Sequence, residues 1–551
     1  MTNASPDSAM TTEPGSRARA TIVMTVRERH ALAAQAIESI VSHTARPYRF
    51  IYVDVQSPDW LREWLARRSG ELGLEVVRFD EPLWPQETRR RIVGMIDTDY
   101  VVFIDNDVQV EDGWLESLVA CADETGAGIV GPLYLMAGGT LPTLIHMAGG
   151  KLTEAPAEGG RILQVEHLLD HADPATVADK LFRQPCDFVE YHCMMIRGEL
   201  LRDGELLDPR MLSVHEHIDT ALSVRQRGYP IFVEPSAKVT YLAFADYMLD
   251  DLPLFRDRWS REAAESSIDA FCTKWGVVND DRSFGILRTF VRGHAGQVDP
   301  IRASAVARPD RLRTMRREEL RQTRSDLLDL ATERGYEAKE VAWLANCYHV
   351  AQVLTDGGYR PCGRPFINHL AGTASVLIRY DFRIEIVGAG LLHAAYTHCP
   401  PHQAGPRATA DLVCAALGGK DSALEKRVRA YTKRESDRGA LSPQPTSPST
   451  ISVADAEITA IAAANEVDMH LNGEFRYSGR TDGIRPQVTE QIAHVCRVLG
   501  VGGLAETLLQ AQRQPTAVKP ELLTGITFSY RVGPDKRSVV RMMGDAVSAL
   551  E

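Results

Sequence analysis

Between residues 21 and 108 short apolar runs alternate with amphipathic stretches, and this alternation limits the fold more than any other feature. Thr21 to Val26 reads as a strand. His30 to His43 reads as a helix, with Leu32, Ala36, Ile37, Ile40 and Val41 on one face. Phe50 to Val55 is a second strand, Asp59 to Arg68 a helix, and Leu74 to Phe79 a third strand. Gln86 to Ile96 is a further helix, and the apolar run from Tyr100 follows. Strands separated by helices predict an α/β fold, a parallel sheet covered on both faces.

The run Tyr100 to Ile104 has no helical period and ends in Asp105-Asn106-Asp107. Ligands of open α/β sheets bind beyond the carboxyl ends of the strands, so these carboxylates should emerge at a crevice. Two carboxylates there can hold a hard divalent cation, which would neutralise a phosphate. The plainer reading is a strand closing in a turn rich in Asp and Asn. Asp54, at the end of the second strand, is likewise either a turn residue or an acceptor for a base or ribose donor.

At 551 residues the chain is expected to hold two or more domains. A formal net charge of −12 argues against nucleic acid or an anionic membrane as partner. No run is long enough to span a bilayer. Met1 to Ala20 is polar and reads as a disordered tail. The nine cysteines include no C-x-x-C pair, which predicts reduced thiols in a cytoplasm and no structural zinc.

The order of these elements resembles the family 2 glycosyltransferases of the GT-A fold. The first loop, Val26-Arg27-Glu28-Arg29, the strand ending in Asp54, and the D-x-D of Asp105 and Asp107 followed by Gly113-Trp114-Leu115 carry the resemblance. Arg90 stands where the family usually has Asn. Downstream, Ile129-Val130-Gly131-Pro132, Ile145 to Gly150 and Asp187 to Arg197 continue the pattern. Glu216-His217-Ile218-Asp219 is similar to the family's acidic helix start. The resemblance covers about residues 20 to 280. It implies donor contacts from Val26, Arg27, Glu28, Asp54, Arg90, Asp105 and Asn106, and a Mn²⁺ or Mg²⁺ held by Asp105 and Asp107. Tyr241 occupies the position where many members carry a metal-binding His, so either His217 is the imidazole ligand or none is used. Glu216 is expected to take the acceptor's proton, with Asp219 as its partner or replacement. Asp246 to Trp275 is predicted as amphipathic helix, with Arg256, Arg258 and Arg261 as candidates to meet a diphosphate.

The second half reads as helical, from Leu327 to Leu392 and Ile451 to Leu471. Gly363 to Leu370 and Ala389 to Tyr396 resemble the HD-type helical domain of guanosine-tetraphosphate hydrolases. That superfamily binds metal through His and Asp, and here Ala394, Thr355 and Asn465 stand at ligand positions. A neutral Ala or Asn cannot replace a carboxylate on a hard cation, so the module is expected to be inactive as a phosphohydrolase. His369, His393 and His398 are expected as core histidines.

The expected domains are a tail 1–19, a GT-A domain 20–282, a linker 283–310, an HD-like all-α domain 311–515 and an extension 516–551. The expected function is metal-dependent transfer of a sugar, with inversion, from a UDP-sugar to a soluble small-molecule acceptor. The fusion points to a specialised pathway such as bacterial secondary metabolism, with homodimerisation through the helical domain. The competing readings are a nucleotidyltransferase of related fold, against which the glycine-free first loop argues, and a non-catalytic scaffold. Donor sugar and acceptor are not legible in the sequence.

Overall fold

The computed structural model describes residues 17–138, 141–202, 204–302, 308–400, 405–420, 422–436, 451–474, 486–513 and 530–531. The chain divides into two units, Met1–Ala295 and Gly296–Glu551. Residues 1–16 of the expected amino-terminal tail, residues 439–449 and nearly all of the carboxy-terminal extension lie outside the described residues.

The first unit is built on a ten-stranded mixed sheet. The strands β1 (Ala20–Thr25), β2 (Arg49–Val55), β3 (Glu75–Phe79) and β4 (Tyr100–Asp105) run parallel in the order β3-β2-β1-β4. Every residue of β1 and β4 is buried, as expected for strands covered on both faces. The helices α1 (Ala33–His43), α2 (Asp59–Leu72) and α3 (Pro85–Ile92) connect them. α2 stops at Gly73, whose φ of 62° closes the helix in a conformation that favours glycine.

The sheet is not parallel throughout. β5 (Val108–Val110) and α4 (Trp114–Thr125) lead into β6 (Ile129–Gly138) and β7 (Leu141–Met147). The hairpin of β8 (Gly150–Ala157) and β9 (Gly160–His167) and the edge strand β10 (Gln184–Cys186) follow. β11 (Cys193–Arg197) then inserts between β4 and β6, antiparallel to both. α5 (Glu216–Gln226) precedes β12 (Ile231–Tyr241), which runs parallel to β6 and shifts register between Glu234 and Lys238, around Pro235. Strand–helix alternation had pointed to a wholly parallel sheet. The antiparallel entry of β11 beside β4 breaks it, and β5, β7 and β10 also pair antiparallel, while β12 returns parallel to β6 after α5.

α6 (Leu252–Arg258) and α7 (Arg261–Trp275) occupy the segment expected as amphipathic helix. Ser260 caps α7 by accepting from the Ala263 amide. The first part of the segment expected as a linker, up to Val298, is helical. α8 spans Asp281–Val298 and buries Phe284 and Val291, so apolar anchors seven residues apart override three helix-weakening glycines.

The second unit is a helical assembly of α9 (Arg324–Glu333), α10 (Ala338–Leu354), α11 (Phe366–Arg379), α12 (Ile384–Leu391), α13 (Ala395–His398), α14 (Pro406–Ala416), α15 (Ala423–Ser436), α16 (Val453–Leu471), α17 (Pro486–Val498) and α18 (Gly502–Gln512). α16 is buried around most of its circumference, the mark of a central helix. α11 crosses it closely at Gly372, where an added Cβ would fall 1.9 Å from Asp468 Oδ1. Two two-residue strands, Gly358–Tyr359 and Tyr530–Arg531, pair here, a small departure from the expected absence of strands.

At the positions read against the HD pattern, His369 Nδ1 lies 2.6 Å from Asp468 Oδ2, and Arg364 Nη1 donates to the same carboxylate at 3.0 Å. The rings of His369 and His393 stand 5.2 Å apart, edge to face. Asn465 donates to the Tyr431 hydroxyl at 3.0 Å. Burial and the neighbouring Arg360 hold His369 neutral, its pKa well below the usual range.

Candidate active site

The carboxyl ends of β1 and β4 lie side by side, with Thr25 in register with Asp105. The loop leaving β1 therefore meets the aspartates leaving β4. Asn106 joins the two. Its side-chain oxygen accepts from the Arg27 amide at 3.1 Å, and its side-chain NH₂ donates to the carbonyls of Glu28 and Arg29, each at 2.9 Å. Expected as a donor contact, Asn106 instead spends its amide on the loop backbone.

The loop then turns sharply at Arg29, whose φ is 49°. Arg29 Nη1 donates to Asp107 Oδ2 at 3.0 Å and to the Tyr241 hydroxyl at 3.3 Å, and the guanidinium lies 4.2 Å over the Tyr247 ring. Tyr241, the last residue of β12, is thus an acceptor for arginine. Glu28 accepts from Trp259 Nε1 at 2.7 Å. Against the cost of burial, Arg29 and Arg258 hold its carboxyl below the usual range. Arg258, one of the three arginines singled out on this helical segment, is buried and donates to the Ser213 carbonyl at 2.9 Å.

Arg27 spans the site. Its Nη2 lies 2.8 Å from Glu216 Oε1 and its Nη1 3.6 Å from Asp105 Oδ2. Arg89 approaches Asp105 from α3, with Nη2 donating to Oδ1 at 3.3 Å, and stacks 3.7 Å over the Tyr191 ring. The sequence expectation named Arg90 from this helix. Arg90 is on the outer face, paired with Glu87 at 2.9 Å, and its neighbour Arg89 is the fully buried one. One residue turns a helix by about 100°, which suffices to exchange the two faces.

Asp105 and Asp107 are both buried, and Asp105 Oδ2 and Asp107 Oδ1 accept no hydrogen bond among the described residues. Burial opposes ionisation of Asp105, but Arg27 and His192 hold its pKa below the usual value. Burial pushes Asp107 up to about 6 despite Arg29, and the charge of Asp105 adds to the shift. Arg27, Arg29, Arg89 and Arg258 face Glu28, Asp105, Asp107 and Glu216 through linked ion pairs, four charges of each sign, and the Glu190 carboxylate beside them pairs with histidines. Two orphaned hard oxygens on neighbouring carboxylates fit a divalent cation.

His192 lies beside this group. Its Nδ1 lies 3.1 Å from Asp105 Oδ2, and its donor atoms fall within ligand-set distance of both aspartates. His217, expected in that position, is not gathered there. It follows Glu216 on α5, so its ring is turned aside, with Nε2 3.9 Å from Glu190 Oε1. Burial pushes its pKa down to about 4.

Glu216 opens α5 behind His215, whose φ is 62°. It is buried, and Arg27 with Arg258 holds its carboxyl below the usual value against the desolvation cost. Asp219 faces elsewhere. Its Oδ1 accepts from Trp275 Nε1 at 2.8 Å and lies 2.7 Å from Lys274 Nζ. Asp54 is buried at the end of β2, where it accepts from the Ser57 amide at 3.2 Å and from Arg78 Nε at 2.7 Å. Val26 is buried at the exit of β1.

Sequence reasoning missed His146, Glu190, His192 and Arg89. A signal existed in the density of histidine: six of the sixteen fall between positions 146 and 217.

No helix among the described residues is long and apolar enough to cross a membrane. No curated protein matches the chain. Among solved structures the chain is similar to GalNAc-T7 with UDP, GalNAc and Mn²⁺, at 14% identity and a TM-score of 0.35. That likeness covers 51% of this chain and 55% of the other, so this chain spans about half the length of that neighbour. It is also similar to S. aureus TarS 1–349 in complex with UDP-GlcNAc, at 16% identity and a TM-score of 0.30, covering 52% of this chain and 83% of that one. Residues 21–153, which carry β1 to β4, the Arg27–Arg29 loop and both aspartates, match the family described as glycosyl transferase family 2.

Proposed function

We propose that the first unit is a metal-dependent glycosyltransferase of the GT-A fold that uses a nucleotide-diphosphate sugar, a UDP-sugar being the donor to test first. The observation that carries this reading is the pair Asp105 and Asp107. They are buried at the carboxyl edge of parallel strands, each with an orphaned oxygen, inside the segment that matches the family. These two carboxylates would hold Mn²⁺ or Mg²⁺, which when bound offsets the charge of a departing diphosphate.

The chain's own residues supply the remainder. Arg27, whose guanidinium reaches toward both Asp105 and Glu216, stands where a diphosphate oxygen would find a cationic donor. The Asn106 clamp fixes the loop that carries it. On the acceptor side Glu216 takes the proton of the attacking hydroxyl. The acceptor oxygen forms the new bond to the anomeric carbon, the sugar–phosphate bond breaks, and the nucleoside diphosphate leaves with the electron pair. Direct displacement of this kind inverts the anomeric centre. Asp219, held by Lys274 and Trp275, is a positioning residue for α5. The acceptor is a soluble small molecule. The second unit is a degenerate HD-like module without hydrolase activity that serves dimerisation, acceptor positioning or regulation.

Release of nucleoside diphosphate from a panel of sugar donors, with Mn²⁺ and with excess EDTA, tests the reading. Metal-dependent release of UDP is the expected result. Pyrophosphate release from a nucleoside triphosphate would point to a nucleotidyltransferase, and no turnover with any donor to a scaffold.

A further inference from the structure

Four histidines converge on Glu190, beside the two aspartates. His146 Nε2 stands 2.8 Å from Glu190 Oε2, and His192 Nε2 3.4 Å from the same oxygen. On the other oxygen, His167 Nε2 lies at 3.4 Å and His217 Nε2 at 3.9 Å. The residues come from β7, the end of β9, the turn before β11 and the start of α5, so four separate chain segments meet here. The His146 ring meets those of His167 and His192 edge to face, at 5.2 and 5.4 Å.

We propose that His146, Glu190 and His192 form a second metal site, nitrogen-rich and open at one position, suited to Zn²⁺ or a similar borderline transition ion. The ligand atoms of these three residues already lie within 4.8 Å of one another, and all three side chains are half-buried. The His192–Glu190 spacing suits coordination, while His146 Nε2 keeps an ordinary hydrogen bond of 2.8 Å to Glu190 Oε2 that it would exchange for the ion. Bonds of about 2.0–2.1 Å in a tetrahedron set neighbouring ligand atoms about 3.3–3.4 Å apart. The contacts of His192 and His167 to Glu190 are 3.4 Å, long for an N–H···O bond and equal to that edge. Two imidazoles and one carboxylate with a vacant fourth position are the donor set of open zinc sites, in contrast to the closed sets of structural zinc.

A second observation concerns the tautomer of His192. Its Nδ1 faces Asp105 Oδ2 at 3.1 Å while its Nε2 faces Glu190. Neither Nδ1 nor Asp105 Oδ2 makes a hydrogen bond in the present geometry; a carboxylate facing the far nitrogen of a metal-ligating imidazole would draw the proton there once Nε2 takes an ion. Asp105 would then serve both centres, as an oxygen ligand of the first and as the orienting carboxylate of the second. The two sites differ in hardness. The Asp105–Asp107 pair suits Mg²⁺ or Mn²⁺, and the His146–Glu190–His192 set suits zinc.

The proposal is read by metal uptake and stands apart from sugar transfer. The full-length chain, stripped with a chelator, is titrated with Zn²⁺, and with Co²⁺ as a spectroscopic probe. The expected result is one equivalent of Co²⁺ with the intense visible bands of low coordination number. His146→Ala and Glu190→Gln should each weaken Zn²⁺ by at least about tenfold, a loss typical even of outer-shell changes. Asp107→Asn should leave the Co²⁺ spectrum unchanged. Circular dichroism monitors the fold, and if His146→Ala unfolds, the isosteric Glu190→Gln decides the matter. Absence of Zn²⁺ and Co²⁺ binding in the stripped wild type overturns the proposal. So does uptake that is equal in wild type and Glu190→Gln, or uptake lost in Asp107→Asn and kept in Glu190→Gln.

Discussion

Arg27 Nη2 lies 2.8 Å from Glu216 Oε1, so the proposed proton acceptor is already neutralised by a guanidinium. A carboxylate so paired is a weak base until the cation is drawn away. A diphosphate binding beside Asp105 would compete for Arg27 and free Glu216 at the moment a donor is present. Replacing Glu216 with Gln keeps the shape and removes the basicity. Turnover should fall by about 10²- to 10⁴-fold, while donor affinity stays within a few-fold. Turnover and donor binding measured on the same variant check this.

Asp219→Asn should behave differently. Asp219 is tied to Lys274 and Trp275 and away from the arginine cluster, so its loss should cost about 1–3 kcal/mol of stability. Activity at low temperature should be largely retained. Thermal unfolding set beside the turnover number separates the two carboxylates, and a dead but stable Asp219→Asn would move the base to that position.

Asp107→Ala should abolish transfer, and excess EDTA should do the same to the wild type. Full activity in EDTA would remove the cation from the mechanism.

The pH dependence follows from Asp107, whose pKa burial raises to about 6. A proton on Asp107 competes with a cation, so Mn²⁺ affinity should fall as pH drops through about 6, by up to about tenfold per unit below it. The folded value is above that of the unfolded chain. In the metal-free protein this group therefore supports stability at low pH, and the support is lost as pH rises through about 6. Mn²⁺ titrations at pH 5 and 7.5, with chemical denaturation of the stripped protein at the same two values, test both signs. Asp107→Asn should flatten the second.

In the helical unit, Gly372→Ala should separate α11 from α16, because the new methyl would meet Asp468 Oδ1. A loss of about 1–3 kcal/mol is expected, read as a lower unfolding temperature. Gly390→Ala, whose nearest neighbour is the side-chain Leu377 Cδ1 at 2.3 Å, is a useful comparison, since a flexible side chain can yield where a buried carboxylate held by Arg364 cannot.

The first four strands were legible in the sequence because strands buried on both faces are written as unbroken apolar runs, and β4 is the plainest of these. The order of the later strands was not. Periodicity marks a strand but not its direction, so the antiparallel entry of β11 beside β4 left no local trace. Asp105, Asp107 and Glu216 were readable as carboxylates at element ends. Arg89 was hidden among three adjacent arginines, since only the helix phase decides which one is buried. Glu190 and its histidines were hidden for another reason: apart from the neighbours Glu190 and His192 they lie far apart in the chain, and each alone looks like an ordinary polar residue. The helix α8 was obscured by glycines whose cost is met by tertiary packing.

The clamp made by Asn106 has a consequence for any attempt to retarget the donor. The residue between the two aspartates fastens the backbone of the loop from Arg27 to Arg29, so the part of the cleft that would read the nucleotide and the part that would hold the cation form one rigid body. A loop taken from another protein to change base preference would have to bring a compatible residue at position 106. Otherwise Asp105 and Asp107 would lose their alignment along with the old specificity. Selectivity and reactivity in this cleft are therefore inherited together, through one side-chain amide.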